Sequence, residues 1–211
     1  MGCPLCQCTE GLTLVLGKTH KNYWRCRDCD LIHLARNEWP TLADENRRYE
    51  NHNNTVADFG YRQFFEIFLS HLNLHLPPES DVLEFGCGPD SVVSHALKSR
   101  GHAVFEYDPH FRPDSSVLRR RYPFISATEV VEHFHHPAKE FQNLRELLVP
   151  GGELWVMTSL HDEVKDFAGW HYRRDKTHVC FYSTKSFEWI GQKFGFASIE
   201  ISDLRIVRLK I

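Results

Sequence analysis

The stretch Asp81-Val82-Leu83-Glu84-Phe85-Gly86-Cys87-Gly88-Pro89-Asp90 decides how this chain folds. Val82, Leu83 and Phe85 form a short apolar run, as in a buried strand, and Gly86 and Gly88 turn the chain directly after it. A helix follows over residues 91–99, with Asp90 or Ser91 as N-cap and Val92, Val93, Ala96 and Leu97 as its apolar stripe. Strand, glycine turn and helix make the ligand-binding corner of a doubly wound sheet. The glycines let a ligand approach the backbone closely, and the start of the helix offers N–H groups without partners.

Asp108, twenty residues after Gly88, closes the next apolar run. A carboxylate there can accept both hydroxyls of a ribose. Two cofactor classes use such a corner: nicotinamide or flavin dinucleotides, and S-adenosylmethionine (SAM). The dinucleotide pattern asks for a third glycine where Ser91 stands, and a pyrophosphate would lie over Asp90. SAM has no phosphate and carries a positive sulfonium, which Glu84 and Asp90 tolerate. The corner favours SAM and leaves the dinucleotide open.

The remaining pattern extends an α/β fold in both directions. Strand two is Ala103–Tyr107, and only 13 residues separate Asp108 from the next strand, 122–127. That is too short for helix, strand and helix, so strand three is expected to be shortened or missing. A turn and a basic helix ending in Arg119-Arg120-Arg121 take its place, as a solvated face. Then come ATEVVEHFHHP, a helix over 138–148 stopped by Pro150-Gly151-Gly152, a strand over 153–158 and a long loop. Ser183 or Thr184 caps a last helix over 185–193, ended by Gly195, and strands 197–202 and 205–210 close the chain as an antiparallel hairpin. Upstream, residues 60–74 are amphipathic at helical spacing and stop at Pro77-Pro78. His71 and His75 lie four apart there and read as a solvated edge.

The first residues carry a second unit. Cys3-Pro-Leu-Cys6 and Cys26-Arg-Asp-Cys29 are two CxxC pairs with 19 residues between them. That is zinc-ribbon spacing: each knuckle presents two thiolates, and four close a tetrahedral, structural zinc site. Strand character at 12–16 and 22–25 supplies the hairpin that holds the knuckles together. Cys8 is a spare thiol nearby. The expected division is a zinc ribbon over 1–35, a linker over 36–58 and the α/β domain over 59–211. A short helix over 42–49 sits in the linker, broken by the run 51–54. Tyr49 is either near the mouth of the cofactor site or on a solvated connector.

The totals narrow the function classes. A net charge of -3 argues against a binder that relies on bulk attraction to nucleic-acid phosphates. No apolar run approaches the ~20 residues of a membrane span. The start has neither basic region nor apolar core, so it is no secretory signal. Seven cysteines without a signal point to metal rather than disulfides and to the cytoplasm. The oligomeric state is not legible.

Five blocks in order resemble a known family: VLEFGCGPD, YDP, EVVEH, LLVPGG and WHYRRDKTHVCFYS. The chain is similar to class I SAM-dependent methyltransferases, and to the ubiquinone-biosynthesis type with an N-terminal zinc ribbon. The resemblance covers about residues 60–200, plus the ribbon. It implies a doubly wound, mostly parallel Rossmann-like sheet and a cofactor seat at Glu84, Gly86, Cys87 and Gly88. Asp108 and Pro109 match the ribose-binding acid and its neighbour, and Thr128 and Glu129 flank the reactive end of SAM. Asp90 departs from the family, which has a third glycine there, and the shortened region after Asp108 lacks the acid that reads the adenine.

Methyl transfer is an in-line displacement at the sulfonium carbon, and alignment supplies much of the acceleration. A base helps when the acceptor is a hydroxyl or a protonated amine, and His133 and His178 are the candidates. His135 and His136 mark a turn before Pro137. Trp170 and Tyr172 either wall the acceptor or close the core. The expected activity is O- or N-methylation of a small molecule. The competing expectation is a non-catalytic, degenerate module whose ribbon docks a partner; a dinucleotide oxidoreductase is disfavoured by Ser91.

Overall fold

The computed structural model describes residues 2–16, 21–50 and 55–211, without the side chains of residues 16, 49 and 50. Three antiparallel strands come first: β1 (Leu12–Leu16), β2 (Asn22–Cys26) and β3 (Ile32–Leu34). Helix α1 (Leu42–Glu50) takes the place expected for the linker helix. The asparagine run meant to break it lies outside the described residues, as does the Tyr49 side chain. Helix α2 (Phe59–His75) begins where the Asp58 side chain accepts the Tyr61 N–H at 2.9 Å, and it buries Phe65, Phe68, Leu69 and Leu72.

The remaining elements are β4 (Asp81–Phe85), α3 (Val92–Ser99), β5 (Ala103–Tyr107), β6 (Tyr122–Thr128) and α4 (Pro137–Glu146), then β7 (Leu148–Met157), β8 (Cys180–Phe181), α5 (Thr184–Phe194), β9 (Ser198–Ser202) and β10 (Ile206–Lys210). Six strands form one sheet in the order β5-β4-β6-β7-β10-β9. The first four run parallel, and β10 lies antiparallel between β7 and β9. Helices α2 and α3 cover one face, around Phe68 and Trp155; α4 and α5 cover the other, around Phe141 and Phe187. Three layers of this kind make the doubly wound α/β fold.

Strand three is missing among the described residues, and β5 is the edge. The segment that replaces it departs from expectation: no basic helix forms, only a single 3₁₀ turn at Val117–Arg119. Its course is set at both ends. Asp108 and Arg112 exchange backbone hydrogen bonds at 3.0 Å, folding the chain back at once. Arg120 then lies 4.1 Å from the Phe105 ring centroid and pairs with Asp81 at 3.1 Å, shielding the sheet edge. The strand after α4 starts at Leu148, earlier than expected, and takes in Pro150-Gly151-Gly152 as an irregularity: pairing jumps from Tyr122↔Leu148 to Phe124↔Glu153. A Cβ at Gly152 would meet Val149 O at 2.9 Å, so only glycine fits this crowded bulge.

The first three strands do not stand apart. Their sheet takes a fourth strand, β8, from the long loop, with Ile32 opposite Phe181 and His33 opposite Cys180. The Leu34 N–H donates to Val179 O at 2.9 Å, and Lys185 Nζ donates to Arg27 O at 2.7 Å. Tyr23 meets the rings of Phe167 and Phe181 at 5.2 and 5.8 Å. Leu31 and Leu34 are fully buried in the same apolar cluster as Phe141 and Phe187.

Candidate active site

The glycine corner folds through the backbone. Gly86 has φ 74° and donates its N–H to Tyr107 O at 2.7 Å, and a Cβ there would collide with the side chain of Val130. Gly88 also needs positive φ, 65°, but faces open space. Ser91, rather than Asp90, caps α3, accepting the Ser94 N–H at 3.0 Å. The buried Glu84 carboxylate accepts hydrogen bonds from Ser91 Oγ at 2.8 Å and Ser94 Oγ at 3.3 Å. Burial pushes its pKa up to about 7 against the pull of the two serines. Asp108 is almost as buried. It accepts Gly88 N–H at 3.0 Å on Oδ2, and His110 and Phe111 N–H at 2.8 and 3.0 Å on Oδ1. Asp90 accepts the Val56 N–H at 2.8 Å and contacts His95 at 3.1 Å, tying the turn to the segment before α2.

A second cluster sits past the end of β6. Glu129 has φ 54° and donates its N–H to Met157 O at 2.8 Å. Its Oε1 is shielded from solvent without a hydrogen-bond partner among the described residues, and burial pushes its pKa up to about 7. Glu132 is fully buried; Tyr172 Oη donates to its Oε1 at 2.7 Å and Thr158 Oγ1 to its Oε2 at 3.0 Å. His133 donates Nδ1–H to Thr177 O at 3.1 Å, and His178 donates Nδ1–H to Tyr172 O at 2.7 Å. The carbonyl acceptors fix the tautomer and make Nε2 the lone-pair nitrogen of each ring. Both Nε2 atoms converge on Glu132 Oε1, at 3.9 and 4.0 Å. Burial, with His178 beside it, holds the His133 pKa down to about 3, so the ring is neutral throughout the ordinary pH range. Two lone-pair nitrogens and a carboxylate converging this closely can take a proton or hold a divalent cation, since the three ligand atoms lie within 4.8 Å of one another.

These groups share one cavity of about 1680 Å³. Glu84, Gly86, Cys87, Gly88, Asp108, Pro109, Thr128, Glu129, His133 and His178 all line it. Ligand pockets usually measure roughly 300–1,000 Å³, so there is room for two molecules. Its far wall comes from outside the six-stranded sheet: Lys21 immediately precedes β2, Trp39 follows β3, Arg47 and Arg48 lie on α1, and Arg174 and Lys176 lie in the loop before β8. Trp39 stacks on His135 at 4.5 Å, giving that histidine a place in the wall as well as in the turn before Pro137. His71 and His75 do not join the site; His71 donates to Ile67 O at 2.9 Å and His75 packs on Trp155.

The four CxxC thiols gather elsewhere, with all Sγ atoms within 4.8 Å of one another. Each pair forms the same turn. Gln7 and Asp30, the residues after the second cysteines, have φ 63° and 60°, and their N–H groups donate to Cys3 O and Cys26 O. Cys8, the spare thiol, lies beside this cluster, its Sγ 3.2 Å from Cys26 Sγ. Glu132, Thr158 and Lys21 carry no sequence signal of their own. Glu132 was within reach as the second acid of the E-x-x-E-H block; Lys21 and Thr158 come into place only through the fold.

The comparisons agree with this geometry. A family model described as a methyltransferase domain matches residues 57–201, more than half of the chain. No curated protein sequence matches it. Among solved structures, phosphoethanolamine N-methyltransferase 2 of Haemonchus contortus, in complex with phosphomonomethylethanolamine and S-adenosylhomocysteine, superposes with TM-score 0.57 at 16% identity, over 77% of this chain and 46% of that one. An O-methyltransferase family protein from Burkholderia thailandensis gives 0.56 at 12%, over 83% and 64%. A methyltransferase-like protein from Bacillus halodurans gives 0.52 at 12%, over 69% and 98%. With residues 57–201 matched and the doubly wound sheet in place, the chain belongs to the methyltransferase-domain family, the class I SAM-dependent methyltransferases.

Proposed function

We propose that this enzyme transfers the methyl group of SAM to an oxygen or nitrogen of a small molecule held between β6, α1 and the loop before β8. The observation that carries the reading is the single cavity, which joins the glycine corner to the Glu129–Glu132–His133–His178 cluster. The backbone of Gly86–Gly88 holds the methionine part of SAM and Asp108 takes the ribose hydroxyls; Cys87 and Pro109 shape the turns around them. Thr128 and Glu129 face the sulfonium end. An acceptor hydroxyl or ammonium at His133 and His178 gives up its proton to an Nε2 lone pair as the methyl moves.

The same lone pairs favour a second reading, in which a divalent cation on Glu132, His133 and His178 binds the acceptor oxygen and lowers its pKa. In the ribbon, Cys3, Cys6, Cys26 and Cys29 hold a structural zinc; the paired positive-φ turns support this, because they aim two thiols per knuckle at one point. The ribbon and linker over residues 1–58 serve the domain that follows as part of its acceptor wall. No described helix is long and apolar enough to cross a membrane. Titrating S-adenosylhomocysteine into the purified chain by calorimetry tests the core of the proposal. Binding that disappears in Asp108→Ala supports it, and no binding at all would overturn it.

A further inference from the structure

The cavity is acidic at one end and mixed at the other, where bases gather among acids. Its cofactor end is lined by Glu84, Asp90, Asp108 and Glu129. Its opposite end carries Lys21, Arg174 and Lys176, and none of these makes an ion pair or a side-chain hydrogen bond among the described residues. Four acids line the same wall, Glu38, Asp44, Glu45 and Asp175, and each already holds a partner; Asp44 accepts the Thr41 hydroxyl at 2.7 Å and lies 3.8 Å from Arg47. Glu38 accepts the Asn22 N–H at 2.7 Å, Asp175 accepts Arg48 at 2.7 Å and the Thr177 hydroxyl at 2.6 Å, and Glu45 sits 3.3 Å from His135. Lys21 is half-buried. Burial pulls its pKa down and Glu38 opposes that pull; Lys176 and Arg173 add to it more weakly, and Asp44 opposes it. Three like charges thus share a concave wall, with the Glu38 and Asp44 carboxylates as their nearest counter-charges, although they come from segments more than 150 residues apart in the chain.

Resting on the methyltransferase reading, we infer that this cluster seats an oxyanion of the acceptor: the substrate is a small molecule bearing a phosphate or carboxylate, gripped by Lys21, Arg174 and Lys176 while its nucleophile lies at the histidines. Neutralising gathered cations gives specificity and steering at low cost, because the charged groups already face water. The difference between the two ends orders the ligands: the sulfonium is drawn to the acids at one end and the acceptor's anion to Lys21, Arg174 and Lys176 at the other. It also gives the N-terminal strands a part in recognition, since Lys21 immediately precedes β2.

The test titrates inorganic phosphate, and separately acetate, into the zinc-loaded full chain by calorimetry, with and without saturating S-adenosylhomocysteine. One anion or the other should bind, and the arm that binds names the group. Lys21→Ala/Lys176→Ala should weaken that binding about tenfold or more, while S-adenosylhomocysteine affinity stays within about twofold, which also reports intact folding. Lys21→Arg/Lys176→Arg should restore it. Three results would overturn the inference: neither anion binds the wild type, the double alanine variant binds anions as well as wild type, or a single-stranded oligonucleotide binds far more tightly than either anion with a steep salt dependence. A chain that takes phosphate but no S-adenosylhomocysteine sinks the cofactor reading and leaves the anion seat standing.

Discussion

The backbone N–H of Gly88 donates to Oδ2 of Asp108 at 3.0 Å, so the carboxylate proposed for the ribose is also what holds the glycine turn in shape. With His110 and Phe111 on Oδ1, one side chain organises the ends of two adjacent strands. Asp108→Ala should therefore cost both binding and stability. S-adenosylhomocysteine affinity should fall by about tenfold or more, and unfolding free energy by about 1–3 kcal/mol for the N–H groups left without an acceptor. Calorimetry and chemical denaturation read the two effects. Unchanged binding would remove Asp108 from the cofactor site.

The two glycines of the turn should differ. Gly86→Ala adds a Cβ that collides with Val130 on top of its unfavourable φ, so binding should be lost and the melting temperature should drop sharply. Gly88→Ala meets open space and carries only the backbone term, about 1–2 kcal/mol. Val130→Ala should recover part of the Gly86→Ala stability loss and none of the Gly88→Ala loss. Thermal melts of the single and paired variants give the comparison.

Buried acids give the chain an unusual pH dependence. Glu84 is raised to about 7 in the folded state, whereas its unfolded value is about 4.5. Folding therefore favours the protonated form; this contribution is complete below about pH 4.5 and is lost as pH rises through 7. Glu84→Gln, which stays neutral, should narrow the stability gap between pH 5 and pH 8, measured by urea unfolding at both. His133 works in the opposite sense. Its pKa is depressed to about 3, so its neutral form supports the fold above about 6.5, and that support is lost as pH falls towards 3. An identical pH slope in wild type and Glu84→Gln would show that the carboxyl is ionised throughout.

At the acceptor end, His178→Ala and His133→Ala should lower kcat by about 10²–10⁴-fold with S-adenosylhomocysteine binding retained, the range for loss of a general base. The cation reading separates by rescue. If a divalent ion sits on Glu132, His133 and His178, a chelator should abolish turnover in wild type, and added Mn²⁺ or Zn²⁺ should restore it. If the histidines act as bases, chelation leaves the rate at the acceptor end unchanged once the ribbon is intact.

For the ribbon, metal analysis should find about one zinc per chain, and Cys3→Ser or Cys29→Ser should lose it, while Cys8→Ser retains it. Because β3 pairs with β8, zinc removal should lower the melting temperature of the whole chain in one transition. Two separate transitions in calorimetry would mean that the strands part without consequence for the sheet behind them.

Much of this was legible in advance, for definite reasons. The run from Asp81 to Ser99 encodes strand, turn and helix by burial pattern, glycine placement and a serine cap, all local signals. The missing strand followed from chain length alone, because 13 residues cannot make two helices and a strand. The basic helix was misjudged, since helical propensity in Arg119-Arg120-Arg121 yields to the hairpin-like fold-back from Asp108 and to Arg120 lying over Phe105. The bulge at Gly152 was read as a stop because Pro-Gly-Gly looks like one; only the crowding against Tyr122 and Pro123 carbonyls shows why the ladder continues past it. The convergence of His133 and His178 on Glu132 was out of reach, as it depends on Thr177 and Tyr172 supplying carbonyls from a loop without periodicity. The meeting of Lys21 with Lys176 depends on β8 crossing to another sheet.

Strand β8 is two residues long, yet it is common property. His178, the second histidine of the Glu132 cluster, stands two positions before Cys180 enters the ladder with β3. Exchanging the N-terminal segment for another module would leave β8 without a partner strand and Val179 O without the Leu34 N–H, next to the residue that carries the imidazole. The two halves of this protein are consequently bound to change together, and a graft between relatives has to carry the crossing strand along with the cysteines.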